Sequence, residues 1–311
     1  MLIYNDAEFR KGEIYIRSLD TSIPLSRSMW RSIFRQVFLY LLVCSAFWSR
    51  VLTGRRAPYK IGFYPARPKP WYKLWNITKW MGFAYDDDFS NCDVLFYFED
   101  VTEAEPNEEL LANSNKKVLN GTCVDIGKEK VQDVFENVFG YALGVDPLTF
   151  EGRVVQKSNI NAEHDGKIID CPVQTREDGY CYQRFVENCY DGNMVEDIRV
   201  PIVGDKIPFV YLKRRPIDKR FANENTDCIM VETGEALSAS EVESLIQFSK
   251  EMGLDFGGLD VLRSRECGKI FVVDVNKTDM GPPIPLKTKK KIEACDRLGE
   301  AFVKMVEGYA A

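Results

Sequence analysis

The sequence predicts an α/β protein of the mixed α+β kind, with a small parallel unit near the amino terminus and antiparallel sheets after it. Three observations carry that prediction. Residues 59–120 alternate strand, helix, strand, helix, strand, which is the pattern of a parallel α/β unit. Residues 153–212 then read as successive strands, the last two joined by Gly204-Asp205, a short-range antiparallel hairpin signal. Finally, two strands at 255–262 and 269–275 flank a turn and lead into a closing helix over 288–309.

Each element has a local reason. Glu13-Ile14-Tyr15-Ile16-Arg17 alternates and reads as a strand-like arm, and a helix follows from about Ser28 to Leu52. Tyr59–Tyr64 is a strand, and Trp71–Gly82 a helix that stops at a C-capping glycine. Asp93–Phe98 is an apolar buried strand, Asn107–Ala112 a short helix and Lys117–Asn120 another strand. Gly127–Gly140 places apolar side chains at 131, 134, 135, 138 and 139, one face of a helix. Strands are expected at 153–157, 166–170, 180–186, 197–203 and 206–212. Residues 240–252 form a helix capped by Ser238 or Ser240, with Gly253 beyond its end. The expected division is an amino-terminal arm and apolar helix (1–57), an α/β domain (58–120) and a larger body (121–311).

Composition narrows the function. With 41 basic and 47 acidic side chains among 311 residues the net charge is −6, which excludes a protein that coats nucleic acid through a cationic face. At 45% apolar and 28% charged residues the chain has ordinary globular usage and can bury a core. Nine scattered cysteines with no CxxC, and a single histidine, speak against zinc and for reduced thiols in a cytoplasmic protein. Residues 1–20 carry Asp6, Glu8 and Glu13 and no secretory apolar region. The longest apolar window, Val37–Trp48, has twelve residues, whereas a bilayer-spanning helix needs about 20. Arg27, Arg31 and Arg35 precede it and Arg50, Arg55 and Arg56 follow. Core packing or oligomer formation is the first reading of that helix, with peripheral membrane contact or the binding of a partner through 28–56 the second.

The chemistry concentrates at residues 257–276. An antiparallel pair there sets Asp260 opposite Asp274, and Asn276 shares a face with Asp274 because side chains two apart on a strand point the same way. Two carboxylates and an amide oxygen on one sheet face form a hard-oxygen site suited to Mg²⁺ when phosphates and waters complete the octahedron. Adjacent like charges repel, so a cation gives a physical reason to keep them. The bland alternative is a solvated hairpin face. Against it stand Lys157 at a strand end before the polar loop SNINAEHDG, the strand end Gln183-Arg184-Phe185-Val186, Asp197-x-Arg199, and the cationic run Lys213-Arg214-Arg215. Cations on one sheet and carboxylates on another, facing across a cleft, suit a nucleoside triphosphate with metal between them.

That order of features resembles the ATP-grasp superfamily, in particular the ribosomal-protein glutamate ligases and D-alanine ligases, over roughly residues 120–310. The resemblance implies two antiparallel-sheet subdomains clasping ATP, with residues 58–120 as the α/β unit that precedes them. It implies Lys157 as the phosphate-binding lysine and Lys128, chosen over Lys130, as the earlier one. Gln183, Arg184, Phe185 and Val186 become the hinge at the adenine edge, Glu187 a ribose contact, and Lys213 a further nucleotide contact. Arg199 and Arg215 become triphosphate or transition-state cations, and Asp260, Asp274 and Asn276 the metal triad. Three departures stand out: the loop after Lys157 lacks the usual glycines, Asp274 replaces the commoner Glu, and the spacing from Lys128 to Lys157 is short.

The implied activity is a ligase using ATP and Mg²⁺ (or Mn²⁺) to join a carboxylate to an amine through an acylphosphate. The implied acceptor is a small molecule or a peptide. A kinase acting on a sugar or polyol hydroxyl is the alternative that Asp274 and the basic run favour, and a non-catalytic nucleotide-binding scaffold is the third. His164 invites an acid–base role by its near-neutral pKa, although a lone histidine in a polar loop reads first as a solvated residue.

Overall fold

The structure is a computed structural model that describes residues 7–10, 12–16, 21–24, 27–105, 116–161, 163, 165–222 and 225–310. The short helix expected at 107–112 and His164 lie outside the described residues. Strands β1 (Ala7–Arg10), β2 (Glu13–Ile16) and β3 (Thr21–Pro24) form an antiparallel meander and lead into helix α1 (Arg27–Leu52). β4 (Lys60–Pro65), α2 (Lys73–Met81), β5 (Ala84–Tyr85), β6 (Val94–Phe98) and β7 (Val118–Leu119) build the parallel unit, in the order β5-β4-β6-β7. Gly82 caps α2 with φ of 77°, a conformation in which a side chain would clash with its own backbone.

Helix α3 (Lys128–Phe139) opens the body. β8 (Gly152–Ser158), β9 (Lys167–Cys171) and β10 (Tyr180–Arg184) form a small antiparallel sheet ordered β10-β8-β9. β11 (Met194–Val203), β12 (Val210–Pro216), β13 (Asp227–Val231), β14 (Phe256–Arg263) and β15 (Ile270–Asn276) form a five-stranded antiparallel sheet ordered β13-β12-β11-β14-β15. Between β13 and β14 lie the one-turn α4 (Thr233–Ala236) and α5 (Ala239–Glu251), and α6 (Thr288–Ala310) closes the chain. Ser238 is the N-cap of α5 and forms a reciprocal capping box with Glu241.

Strand boundaries differ from the sequence reading at β10, β11 and β12, with β11 opening at Met194 rather than 197. The Gly204-Asp205 turn forms and is closed by a Val203–Lys206 bridge, but β12 begins at Val210, because Pro208 has no N–H to give to a ladder. Lys213 and Arg215 therefore lie inside a strand rather than beyond its end. β10 stops at Arg184, where the chain turns away and Arg220 takes the Val186 carbonyl at 3.2 Å. The strand β13 has no counterpart in the sequence reading.

The five-stranded sheet packs one face beneath α3 and α5. Ile198, Val200, Ile202, Leu259, Val261, Val272 and Val275 meet Val131, Val134, Phe135, Leu245 and Phe248 there. Each such apolar side chain contributes about 1.5–3 kcal/mol of burial, so this face anchors the body. A second cluster joins Ile61, Leu74, Ile77 and Phe96 of the parallel unit to Phe209, Tyr211, Phe256, Leu298 and Phe302 of the body. The expected domain boundary near 120 thus runs through a common core. The three-stranded sheet has only Val154, Cys171 and Tyr182 buried in its own cluster, and polar contacts supply much of its attachment.

Candidate active site

The other face of the five-stranded sheet carries the charges. The register sets Lys213 beside Asp197, Arg199 beside Asp260 and Asp260 beside Asp274, and laterally paired residues share a face. The ladder slips by one residue between Asp260 and Val261, so Val273 is the extra residue of a β-bulge. The bulge sends Val272 into the core and Asp274 to the cleft, although the two are two positions apart. It also frees the Val273 carbonyl, which Lys157 of the small sheet reaches at 2.9 Å.

Asp260 is the hub. It accepts from Arg199 at 2.6 Å on Oδ2 and from Lys213 at 2.7 Å on Oδ1. Burial works against its charge, but Arg199 and Lys213 override that and hold the carboxyl below the usual range. Arg199 donates its second nitrogen to Asp279 at 2.6 Å, and the Asn276 amide, oriented with its oxygen inward, accepts from Arg199 Nη1 at 2.6 Å. Asp279 also accepts from Lys73 at the start of α2, so the parallel unit plugs into the same network. Gly258 is required here: a Cβ at that position would lie 2.5 Å from Asp279 Oδ2 and 2.8 Å from Arg199 Nε. Tyr72 and Thr278 both donate to Asp100, a second bond between the two units.

Asp274 is different. Its Oδ1 is shielded from solvent and has no hydrogen-bond partner. Burial pushes its carboxyl up, while Lys157 and Lys128 pull it down by a smaller amount. Lys157 is pushed down by burial in turn, with Asp274 opposing. Each charge is under-compensated by the protein alone. Lys128, the first residue of α3, donates to the Ile160 carbonyl at 2.7 Å, and Asn159 accepts from the Glu129 N–H at 2.9 Å, which ties the loop after Lys157 to that helix start. Side chains, not glycine amides, organise this loop.

Seven sequence-predicted residues thus converge: Lys128, Lys157, Arg199, Lys213, Asp260, Asp274 and Asn276. The others are placed differently. Arg215 donates to Asp197, to Asn225 at 3.1 Å and to the Arg220 carbonyl at 2.7 Å, so all three of its nitrogens are engaged. Glu187 accepts through Oε1 from Arg220 at 3.2 Å and from the Cys189 N–H at 3.1 Å. In the hinge segment, Arg184 is exposed and lies 5.8 Å from the Phe150 ring, while Phe185 has the guanidinium groups of Arg153 and Arg220 over its ring at 4.1 and 4.7 Å. The Val186 carbonyl is taken by Arg220, and the buried Gln183 amide nitrogen has no partner. Sequence reasoning missed Lys73 and Asp279. Asp279 had a signal, since Asn276-Lys277-Thr278-Asp279 is a short polar run straight after an apolar strand; Lys73, 206 positions away, had none.

The donor set fits a divalent cation bound together with phosphates. Asp274 Oδ1 is an orphaned acceptor beside Asp260 and Asn276, and a carboxylate oxygen engaged by one donor retains a second lone pair. Arg199, Lys213 and Lys157 already supply positive charge around it, so a bare ion meets a site that is not strongly negative. A cavity of about 920 Å³ lies elsewhere, between the Gly204–Lys206 turn and the ends of α5 and α6. None of the thirteen sequence-predicted site residues lines it.

No protein-family model matches the sequence, and no curated protein matches it. Solved structures do. The ATP-grasp ligase PsnB, complexed with a phosphomimetic variant of its minimal precursor, Mg and ADP, superposes with a TM-score of 0.50 at 10% identity, over 79% of this chain and 98% of that one. A RiPP-associated ATP-grasp ligase from Chryseobacterium gregarium, in complex with ADP and a leader and core peptide, gives 0.48 at 12% identity, over 80% of this chain and 97% of that one. A RimK domain ATP-grasp protein from Sphaerobacter thermophilus gives 0.46 at 9% identity, over 80% and 100%. The chain has the ATP-grasp fold: a parallel α/β unit, then two antiparallel sheets, with Lys157 of the smaller reaching the Val273 carbonyl of the larger.

Proposed function

We propose that the protein is a Mg-ATP-dependent ligase that joins a carboxylate to an amine and releases ADP and phosphate. The observation that carries this reading is the under-compensated Asp274–Lys157 pair, on facing sheets of an ATP-grasp cleft, with Asp260, Asn276 and Arg199 beside it. A triphosphate supplies the anion that Lys157 and Lys128 lack, and a cation supplies the partner that Asp274 Oδ1 lacks. PsnB was solved with a phosphomimetic variant of its minimal precursor bound, which supports a peptide or small-molecule acceptor.

In this reading Lys128 and Lys157 hold the α- and β-phosphates, and Arg199 and Lys213 lie toward the γ-phosphoryl group. Asp260, Asp274 and Asn276 would hold Mg²⁺, which screens the charge that develops on the transferred phosphoryl oxygens. The substrate carboxylate attacks the γ-phosphorus and ADP leaves; the amine then attacks the acyl carbon and expels phosphate, giving the amide. Phosphoryl transfer asks the protein mainly for position and charge neutralisation, and fixed side chains on sheet strands supply both. Gln183 to Val186 and Glu187 would border the adenosine. Arg215 becomes a positioning residue, held by Asp197 beneath Lys213.

Calorimetry tests the site. Mg²⁺ with a non-hydrolysable ATP analogue is expected to bind, Mg²⁺ alone to give no heat, and Asp274→Asn to weaken the analogue at least about tenfold. Absence of heat with both nucleotide and metal overturns the proposal. A product assay tests the reaction: phosphate release that requires both an acid and an amine supports the ligase, whereas a stable phosphoester shows the kinase. The basic run that favoured a kinase is largely committed, with Arg214 on Glu196, Arg215 on Asp197 and Arg220 on Glu187.

A further inference from the structure

Helix α1 packs one face and leaves the other bare. Leu39 and Val43 are buried against the body, Tyr40 stacks on Trp75 of α2 at 5.4 Å, and Lys79 of α2 lies 4.6 Å from the Phe47 ring. On the far side, Phe34, Val37, Leu41, Trp48 and Leu52 are exposed by 68%, 48%, 57%, 60% and 82% of their surface, and Trp30 and Phe38 by 42% and 52%. Positions 30, 34, 37, 41, 48 and 52 recur at intervals of three, four or seven, so they form one stripe, about 33 Å long at 1.5 Å per residue. Large aromatic and aliphatic side chains in a continuous exposed row mark an interaction surface rather than chance exposure.

Charge selects the partner. Between Thr21 and Tyr85 the sequence has eleven of its 41 basic residues and none of its 47 acidic ones. Some of these cations are engaged internally: Lys73 with Asp279, Lys60 with Asp86, Arg67 with Asp87 and Arg50 with Asp296. Arg35, Arg55 and Arg56 are exposed and carry no ion pair among the described residues. The helix ends on Trp48 and Leu52 with Arg55 and Arg56 just beyond. A second copy would bring the same acid-free, cationic helix against itself, with no carboxylate on either to pair across the seam. No helix among the described residues is long and apolar enough to cross a membrane. An apolar row with tryptophans and flanking arginines is instead the chemistry of a helix lying in the interface of an anionic bilayer.

We propose that α1 docks the protein onto an anionic lipid surface, its Trp30–Leu52 stripe seated at the acyl boundary and Arg35, Arg55 and Arg56 against the headgroups. The body then hangs from the membrane through α2, the helix whose first residue, Lys73, enters the cleft network. This is independent of the ligase reading, because its test needs no nucleotide.

The full chain is mixed with vesicles of neutral phosphatidylcholine, or of the same lipid with a third phosphatidylserine, and the bound fraction is read by flotation. Binding is expected to the anionic vesicles, with fluorescence quenching by bromine-labelled acyl chains. The partition coefficient should fall about fivefold for each of Arg55→Gln and Arg56→Gln. Phe34→Ser, Leu41→Ser and Trp48→Ser combined should abolish binding; because all three are exposed, the variant should keep its melting temperature. Three results overturn the proposal: no binding at low salt, equal binding to neutral vesicles, or a wild-type dimer in light scattering that this triple variant converts to monomer. If the triple variant melts early, Arg55→Gln with Arg56→Gln decides alone, loss of binding supporting the proposal and retention overturning it.

Discussion

The two ends of the charged sheet face use the same residue types to opposite effect. At the Asp197 end, Arg215, Arg220, Asn188 and Glu187 bond one another, and Asn188 donates to Asp197 at 2.9 Å and to the Glu196 carbonyl at 3.0 Å. At the Asp274 end, a carboxylate oxygen is shielded from water with no partner and the nearest lysine is pushed toward neutrality. A buried polar group with its bonds made rigidifies a fold; one left without them costs stability and is kept where a ligand completes it. Between the two ends, Asp260 and Asp279 share Arg199, so the saturated half grips the unsaturated one.

The comparison can be broken most severely at its junction. Asp279→Ala leaves Lys73 and Arg199 buried without their shared carboxylate and should cost about 3–5 kcal/mol in denaturant unfolding. A loss under 1 kcal/mol would show that the network does not hold the two units together. Asp274→Asn should do the reverse. Turnover falls by about 10²–10³, while the melting temperature at neutral pH stays level or rises, because burial raises the Asp274 carboxyl and its charge opposes folding once the pH exceeds the unfolded value. A drop in both would make Asp274 a structural residue.

Lys291 sharpens the contrast between an orphan at a site and an orphan in a core. Its amine is buried, has no partner, and is pushed down to about 8 by burial. Between that value and the unfolded 10.5 the unfolded chain binds more protons, so this lysine destabilises the fold below pH 8 and the penalty fades as the pH rises. Lys291→Met should therefore raise the melting temperature at pH 7, by less at pH 10, and leave turnover unchanged. The smallest effect is expected at Tyr211, whose buried hydroxyl also lacks a partner. Tyr211→Phe should move stability by no more than about 1 kcal/mol, in the stabilising direction, as thermal melting would show.

Much of the fold was legible because it rests on local signals. The capping glycine at 82, the Ser238 cap, the apolar runs of β6 and β15 and the Gly204-Asp205 turn each act within a few residues. The same locality made Asp260, Asp274 and Asn276 readable as one cluster, since a hairpin is a short-range object. Pro208 was visible too, yet its consequence for β12 required knowing which neighbour needed an N–H.

The sequence by itself determined the order of elements, the acid-free helix and the hairpin that pairs two carboxylates, because backbone preference and side-chain alternation are set by near neighbours. Only the tertiary structure decided that Lys73 closes onto Asp279, that Arg215 is committed to Asp197, and that a bulge at Val273 turns Asp274 to the cleft. Those outcomes depend on electrostatic and packing partners that lie up to 206 positions apart, and their pairing is selected by the cost of leaving a charge buried alone.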